Sequence, residues 1–432
     1  MDTTDQDCAY ETLDRFMSDP AARTCLLTGA AGTGKTYMLM GFLKRAGLTP
    51  GVVKIAAPTN KAVAVLQSKL DEDYHASCQT IHRHLNSMEQ YGPNGEMDLQ
   101  YSFSYTWNTT RLLVVDESSM LCSALFRFIV DRQPPGLKTL FVGDLSQLPP
   151  VDEEDSPAFT YSHPYRYNLH IVKRTQNPDI AFLYSVFRGW QTGTEDLERM
   201  LKRSPKHRRL FVDATGFKRA VAETSPDTYI LAYSNDQTQA YNRLARRALF
   251  PGVTQAWTEG DRGYFTDTCI VESHRYHTND MFTVDSLLIE THDVRFPRDD
   301  IYAEPGVRVK TYLLYNDDGA EMHRVHEHDV ELFERYVRIV RMHVAAYASL
   351  PTTTQRDASE CWKAFHSWRK QCHVPIDYAY AVTVHKSQGS GFRRVLIDAR
   401  NIEDCTVHDK RLFKKCIYTA VTRATDSILI YW

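Results

Sequence analysis

No apolar run in this sequence approaches the roughly 20 residues that a membrane-crossing helix needs, and the opening MDTTDQDCAY has neither the basic start nor the apolar core of a secretory signal. The nine cysteines are an odd number and scattered, with no C-x-x-C pair and no Cys/His spacing suited to zinc. That argues against a disulfide framework and fits free thiols in a reducing compartment. Neither sign of charge dominates: the formal net charge of −3 excludes a uniformly basic coat, though not a basic groove balanced by acidic surface elsewhere. Internal repeats and low-complexity tracts are also missing. The expectation is a soluble intracellular protein, not secreted and with no membrane partner.

What is present is a chain of 432 residues, 43% hydrophobic and 24% charged, of globular composition and long enough for roughly two to four domains. Short apolar runs ending at polar, glycine or acidic residues recur early: CLLTG (25–29), VVKIAAPT (52–59), RLLVVDE (111–117) and LKTLFVGD (137–144). Helix-length stretches such as TYMLMGFLKRAG and NKAVAVLQSKL lie between some of them. This alternation predicts a parallel sheet covered by helices on both faces. A second set, TYILAYS (228–234), YAVTVHKSQG (380–389), RRVLIDA (393–399) and SILIYW (427–432), predicts a second α/β domain. A long segment of different character separates its first two members, so an inserted module is expected over about 255–375.

GAAGTGKT (29–36) fits G-x-x-x-x-G-K-[ST] and sits between an apolar strand and a helical segment, the context that makes this pattern specific. Gly29, Gly32 and Gly34 let backbone N–H groups wrap phosphate oxygens, Lys35 reaches the β- and γ-phosphates, and Thr36 is a Mg²⁺ ligand. LLVVDE supplies the acidic partner at a neighbouring strand end: Asp116 to hold Mg²⁺ and Glu117 to orient or deprotonate water. FVGDLSQLPPV (141–151) adds a third strand end, with Gln147 able to sense a γ-phosphate and Pro149-Pro150 stiffening the exit toward the next domain. One residue asks for an explanation. Arg423 interrupts the apolar CIYTAVTRATDSILIYW, and a buried guanidinium calls for an anion.

In order along the chain, GAAGTGKT, AAPTNKAV, TIHRHL, VVDESSM, GDLSQLPPV, LHIVKRTQNPDI, LAYSNDQTQAYN, TVHKSQGSGF and YTAVTRA resemble the superfamily 1 helicases, specifically the 5′-to-3′ branch typified by RecD and phage Dda. The resemblance implies an α/β fold of two RecA-like motor domains: 1–153, carrying a pin hairpin at about 86–110, then 154–254 with 376–432. Inserted in the second of these it implies a small SH3-like β-barrel with an extended helical arm at 255–375. It implies an ATP- and Mg²⁺-dependent monomeric motor on single-stranded and forked DNA, in a bacterial or phage-infected cell or a nucleus, with single-strand-binding, replication or recombination proteins as candidate partners.

Position by position, the resemblance gives nucleotide contacts to Gln6, to the loop Gly29, Ala30, Ala31, Gly32, Thr33, Gly34, Lys35 and Thr36, and to Gly389. Arg174 and Arg423 become the cations that approach the γ-phosphate from the side opposite Lys35, which answers the question Arg423 poses. Pro58, Thr59, Lys61, Thr80, His82, Asn235, Thr383, His385 and Gln388 fall where relatives contact the strand. At Gly391 relatives often carry Thr or an acidic residue, so that contact is not carried over. Asn94-Gly95, between alternating aromatic and polar residues, predicts a β-hairpin at the pin position. Trp362, Phe365 and Trp368 fall at helical spacing and read as core, with base stacking as the alternative. Two other functions fit the motifs: a viral RNA helicase, and a nucleotide-dependent switch that binds nucleic acid without moving.

Overall fold

The computed structural model describes residues 4–103, 107–171, 177–193, 204–272 and 274–432. It divides into two compact units, one made of 1–87, 101–245 and 381–432, the other of 88–100 and 246–380.

The first unit holds two sheets. One has the order Cys78–Thr80, Val53–Ala57, Leu112–Val115, Lys138–Gly143, Thr24–Gly29, Tyr165–Leu169, and every pairing is parallel. Thr24–Gly29 and Leu112–Val115 are buried at every position, as strands covered on both faces must be. On one face the helix Lys35–Arg45 packs Met38, Leu39, Phe42 and Leu43 against Leu27, Val114 and Leu140. On the other, Leu125, Phe126 and Ile129 of the helix Ser123–Arg132 pack with Phe141 and Trp107. Each such side chain contributes roughly 1.5–3 kcal/mol by leaving water. Because all six strands run the same way, their C-terminal ends emerge along one edge, where open α/β sheets bind ligands.

The other sheet has the order Ala381–Thr383, Thr228–Ala232, Phe392–Asp398, Ala424–Tyr431, Phe211–Val212, again parallel throughout. The helix Lys410–Val421 leads into its strand Ala424–Tyr431, with Arg423 at the junction. The expected boundary at 153 does not mark the end of the first sheet. Tyr165–Leu169 returns to pair with Thr24–Gly29 from Cys25↔Tyr165 to Gly29↔Leu169, so Pro149-Pro150 leads into an outer strand of the same sheet and not directly to the next one.

In the second unit, a five-stranded antiparallel sheet runs Glu321–Val325, Val307–Asn316, Met281–Val294, Arg262–Phe265, Ile376–Tyr378. A two-stranded ribbon, Cys269–Val271 with His274–Tyr276, and the helices Val330–Ala348 and Gln355–Cys372 complete it. Trp362, Phe365 and Trp368 are 1%, 2% and 6% exposed and pack with Phe333, Tyr336 and Val340, which makes them core and removes the base-stacking alternative.

The expected hairpin forms as Met88–Tyr91 paired with Met97–Gln100. Gly95 takes φ +82° at the end of a turn closed by its N–H to Gly92 O at 3.0 Å. The hairpin groups with the inserted segment and not with the first sheet, a correction to the expected subdomain of 86–110. An isolated two-stranded hairpin is marginal in water, and this one is held by the helix Gln355–Cys372. Trp362 Nε1 donates to Pro93 O at 3.0 Å, Ser359 Oγ accepts from Tyr91 N–H at 3.1 Å, and His366 stacks on Tyr91 at 5.0 Å. A Cβ at Gly95 would meet the Trp362 ring at 3.0 Å, so glycine serves both the turn and the close approach.

All nine cysteines are free. Among the described residues no helix is long and apolar enough to cross a membrane.

Candidate functional site

The strand Thr24–Gly29 hands over to the helix Lys35–Arg45 through a loop in which Gly32 and Gly34 take φ +82° and +85°, backbone that L side chains rarely adopt. The turn is drawn so tight that a Cβ at Gly29 would lie 2.5 Å from Thr33 Oγ1. Thr33 Oγ1 in turn donates to Ala30 O at 2.9 Å, so Gly29, Ala30 and Thr33 shape the loop and do not line the cleft beside it. Lys35 Nζ donates to Gly29 O at 2.7 Å and Ala30 O at 3.1 Å, which holds the ammonium over the loop.

That cleft, about 290 Å³, is lined by Ala31, Gly32, Gly34, Lys35 and Thr36 from the loop, Asp116, Glu117 and Gln147 from neighbouring strand ends, and Gly389, Ser390 and Arg423 from the other sheet. Residues 388 positions apart in sequence, Lys35 and Arg423, thus face one space. Arg423 is 4% exposed, and its guanidinium donates to Thr419 O (3.1 Å), Thr422 Oγ1 (2.7 Å) and Ser390 O (3.1 Å). These acceptors are neutral. They fix the fork's direction.

Gln147 is 4% exposed, yet among the described residues its Oε1 has no hydrogen-bond partner, and neither has the buried Ser390 Oγ. Buried polar atoms left unpaired are costly and mark a place for a ligand or water. With the glycine cradle, the Lys35 ammonium, and the oxygen donors of Thr36, Asp116 and Glu117, they fit a magnesium-bound nucleoside triphosphate.

Gln147 also depends on both sheets. The next residue, Leu148, donates its N–H to Thr419 Oγ1 at 3.1 Å and accepts from Gln388 Nε2 at 3.2 Å, both on the second sheet's side. Tyr418 makes a further tie: its OH accepts from the loop's Ala31 N–H at 3.1 Å and donates to Asp144 Oδ2 at 2.9 Å. No spacing rule pointed to Tyr418, Asp144 or Ser390 individually, although all three lie inside strings that the sequence singles out.

Asp116 and Glu117 leave the strand Leu112–Val115 through a kink. Glu117 takes the left-handed conformation (φ +50°) and donates its N–H to Asp116 Oδ1 at 2.9 Å, while Ser118 Oγ closes the kink on Val115 O at 2.7 Å. Such backbone costs a non-glycine residue roughly 1–2 kcal/mol and recurs at functional sites.

Burial, and then the charge of Glu117 beside it, push the Asp116 carboxyl up from 3.8 to about 6. Because the folded value is raised, ionised Asp116 costs stability. The cost is absent below the unfolded value of 3.8, grows through the interval and is complete above about 6. Asp116→Asn is therefore expected to raise the unfolding temperature of the nucleotide-free chain at pH 7.5, and to lose most of that advantage at pH 4.5, while turnover disappears. Thermal unfolding at the two pH values checks this; an Asn variant less stable at pH 7.5 would refute it.

Gln6 is placed beside this cleft. Asp5 accepts from His170 N–H (3.0 Å), Ile171 N–H (3.2 Å) and Tyr167 O–H (2.9 Å), which fixes the first helix turn so that Gln6 Nε2 lies 4.0 Å from the position of a Cβ on Gly34. Tyr37, not anticipated from the sequence, stands 73% exposed at the cleft's rim. Arg174 lies outside the described residues.

The expected strand contacts fall at the same strand ends but do different local work. Thr59 Oγ1 and Thr80 Oγ1 cap helices by accepting from Ala62 N–H (3.2 Å) and Arg83 N–H (3.3 Å), and Ala57 and Thr80 are register partners. Pro58 leads into the first of these caps. Lys61 Nζ lies 4.8 Å from the Phe392 ring centroid, and His82 packs against Tyr101. Thr383 Oγ1 accepts from Lys386 N–H at 3.3 Å, and Asn235 Oδ1 from Lys386 Nζ at 3.3 Å. Gln388 is 5% exposed and bound to Leu148. His385 lies 5.4 Å, edge-on, from Tyr233, and both line a second cavity of about 640 Å³ with Pro149, Pro150 and Val151.

A family model described as an AAA domain matches residues 6–204, and one described as a UvrD-like helicase C-terminal domain matches 378–431. An uncharacterized protein of Acanthamoeba polyphaga mimivirus is 23% identical over 99% of both chains. The ATP-dependent RecD2 DNA helicase of Deinococcus radiodurans is 37% identical over 30% of this chain and 16% of its own. For the ATP-dependent DNA helicase Dda of phage T4 the values are 31%, 38% and 37%, so the chain spans well under half of either named enzyme. Among solved structures, a Pif1 helicase from Bacteroides in complex with ADP-AlF3 and single-stranded DNA covers 98% of this chain and 91% of its own, with 15% identity and a TM-score of 0.50, a likeness of fold.

Proposed function

We propose that this chain is a superfamily 1B helicase of the RecD and Dda type, an ATP-dependent DNA helicase that loads on single-stranded DNA, moves 5′ to 3′ and separates duplex at a fork. One observation carries the reading: Lys35, Asp116, Glu117 and Gln147 share a cleft with Arg423 and Ser390 of a second sheet. A triphosphate held there is gripped from both sheets, and loss of its γ-phosphate removes the anion to which both respond.

In that reading the amides of Ala31, Gly32 and Gly34 and the Lys35 ammonium bind the phosphates. Thr36 and Asp116 would hold Mg²⁺, which when bound neutralises the β- and γ-phosphate oxygens. Glu117 accepts the proton of the attacking water, Gln147 orients that water, and Arg423 stabilises the charge of the transferring phosphoryl group, with Arg174 proposed beside it on resemblance alone. Gln6 and Tyr37 receive the base at the rim.

Hydrolysis is transmitted because Leu148, next to Gln147, is hydrogen-bonded on both sides to Thr419 and Gln388. The single strand follows the edge formed by Pro58, Thr59, Lys61, Thr80 and His82, then Asn235, Thr383 and His385, with Tyr233 and His385 offering ring faces or edges to bases. The hairpin 88–100, stiffened by Trp362, is the wedge.

Forked substrates test this. A 5′-tailed fork is expected to be unwound with ATP, a fork with only a 3′ tail to be left intact, and ATP hydrolysis to rise with single-stranded DNA more than with RNA. Unwinding of the 3′-tailed fork alone would overturn the polarity. An ATPase stimulated only by RNA would overturn the DNA assignment.

A further inference from the structure

The second unit carries a group of side chains that are not among those lining the nucleotide cleft. After the strand Glu321–Val325 the chain reads HEHD, and residues 326–329 make a turn closed by Asp329 N–H to His326 O at 2.9 Å before the helix Val330–Ala348 begins. His326 Nδ1 and His328 Nδ1 lie 3.1 Å apart, with their rings stacked at 4.9 Å and 22°. Glu327 Oε2 is 3.6 Å from His326 Nδ1, and one ligand atom from each of the three residues lies within 4.8 Å of the others.

The arrangement is supported from the neighbouring strand Val307–Asn316. Tyr312 O–H donates to Glu327 Oε2 at 3.0 Å while its ring stacks on His326 at 4.9 Å. Lys310 N–H donates to Asp329 Oδ2 at 2.7 Å, and Lys310 O accepts from His326 N–H at 2.8 Å. The side chains of the turn therefore converge on a braced backbone.

Two imidazole nitrogens 3.1 Å apart are spaced either for an N–H of one ring donated to the lone pair of the other or for a metal ion in the proton's place. Two nitrogens bound to one ion at about 2.0–2.1 Å are separated by roughly 2.9 Å when they subtend a right angle and roughly 3.3 Å at the tetrahedral angle. The observed spacing falls inside that interval. Two neutral imidazoles and one carboxylate form a mixed nitrogen–oxygen set suited to zinc, cobalt or nickel, whereas Mg²⁺ and Ca²⁺ favour oxygen alone. Glu327 and His328 are exposed, so water can complete the coordination.

We propose that the turn His326–Asp329 is a binding site for one divalent transition-metal ion of the zinc class, ligated by His326 Nδ1, His328 Nδ1 and a Glu327 carboxylate oxygen. The bound ion ties the end of the sheet to the start of the long helix and stabilises the second unit by mass action.

The test uses the full chain, stripped with a chelator and titrated with Co²⁺ in excess Mg²⁺, which saturates oxygen-only sites. One equivalent of Co²⁺ is expected, with visible d–d absorption, displacement by Zn²⁺, and a rise in unfolding temperature. His328→Ala, an exposed change, is expected to lower Co²⁺ affinity by at least about 10-fold without moving the metal-free unfolding temperature, and Glu327→Gln to lower it less. Equal Co²⁺ affinity in the native chain and His328→Ala would overturn the site, as would the absence of any Co²⁺ absorption in the native chain. Neither outcome bears on helicase activity.

Discussion

Glu117→Gln is expected to bind ATP at least as tightly as the native chain and to hydrolyse it roughly 10²–10⁴-fold more slowly, the range for removing a positioned general base. The substitution keeps the side chain's length and the left-handed backbone at φ +50°, so the kink closed by Ser118 on Val115 survives. It also removes a charge next to Asp116, whose pKa Glu117 helps to raise. Asp116 then ionises more readily, and metal-nucleotide affinity is expected to hold or to rise. Nucleotide titration alongside single-turnover hydrolysis on single-stranded DNA measures both quantities. Native turnover in this variant would return the chain to the class of nucleotide-dependent switches, for which Glu117 is dispensable.

The parts of this site that the sequence made legible are those in which local chemistry and global position coincide. CLLTG, VVKIAAPT, RLLVVDE and LKTLFVGD become Thr24–Gly29, Val53–Ala57, Leu112–Val115 and Lys138–Gly143, because a strand buried on both faces must be apolar almost throughout. Tyr165–Leu169 escapes the same reasoning. It is an outer strand, only Leu169 in it is buried, and YRYNL carries no apolar run to mark it. A boundary at 153 therefore falls before the last strand of the sheet.

The hairpin shows the opposite case. Its turn was readable in Asn94-Gly95, but its allegiance was not, since Trp362 and Ser359 lie more than 260 residues further along and no local pattern couples them to Pro93 and Tyr91. Thr59 and Thr80 teach a related lesson. A hydroxyl at a strand end followed by a helix is an N-cap before it is anything else, and the hydrogen bonds to Ala62 and Arg83 fill that role.

A larger effect than that of Glu117→Gln is expected at Arg423. Arg423→Ala should lower hydrolysis about 10³–10⁵-fold, the range for an arginine finger, with nucleotide affinity changing far less, because the cation acts on charge that develops as the phosphoryl group transfers. The rival explanation is structural. Removing the guanidinium takes a donor from Ser390 O in a buried setting, at about 1–3 kcal/mol, while Thr419 O keeps its bond from Thr422 Oγ1 at 2.7 Å, and a destabilised chain also loses activity. Arg423→Lys keeps the charge but cannot reproduce the fork that reaches Thr419, Thr422 and Ser390 together, so it is expected to recover only a small part of the rate, and the state of folding separates the two explanations. Unfolding temperatures fix the folded fraction, and rates per folded molecule are compared under single turnover. If Arg423→Ala hydrolyses at the native rate once corrected in this way, the residue only braces the junction between Lys410–Val421 and Ala424–Tyr431. The nucleotide would then be gripped from one sheet alone, and its cleavage would have no lever on the other.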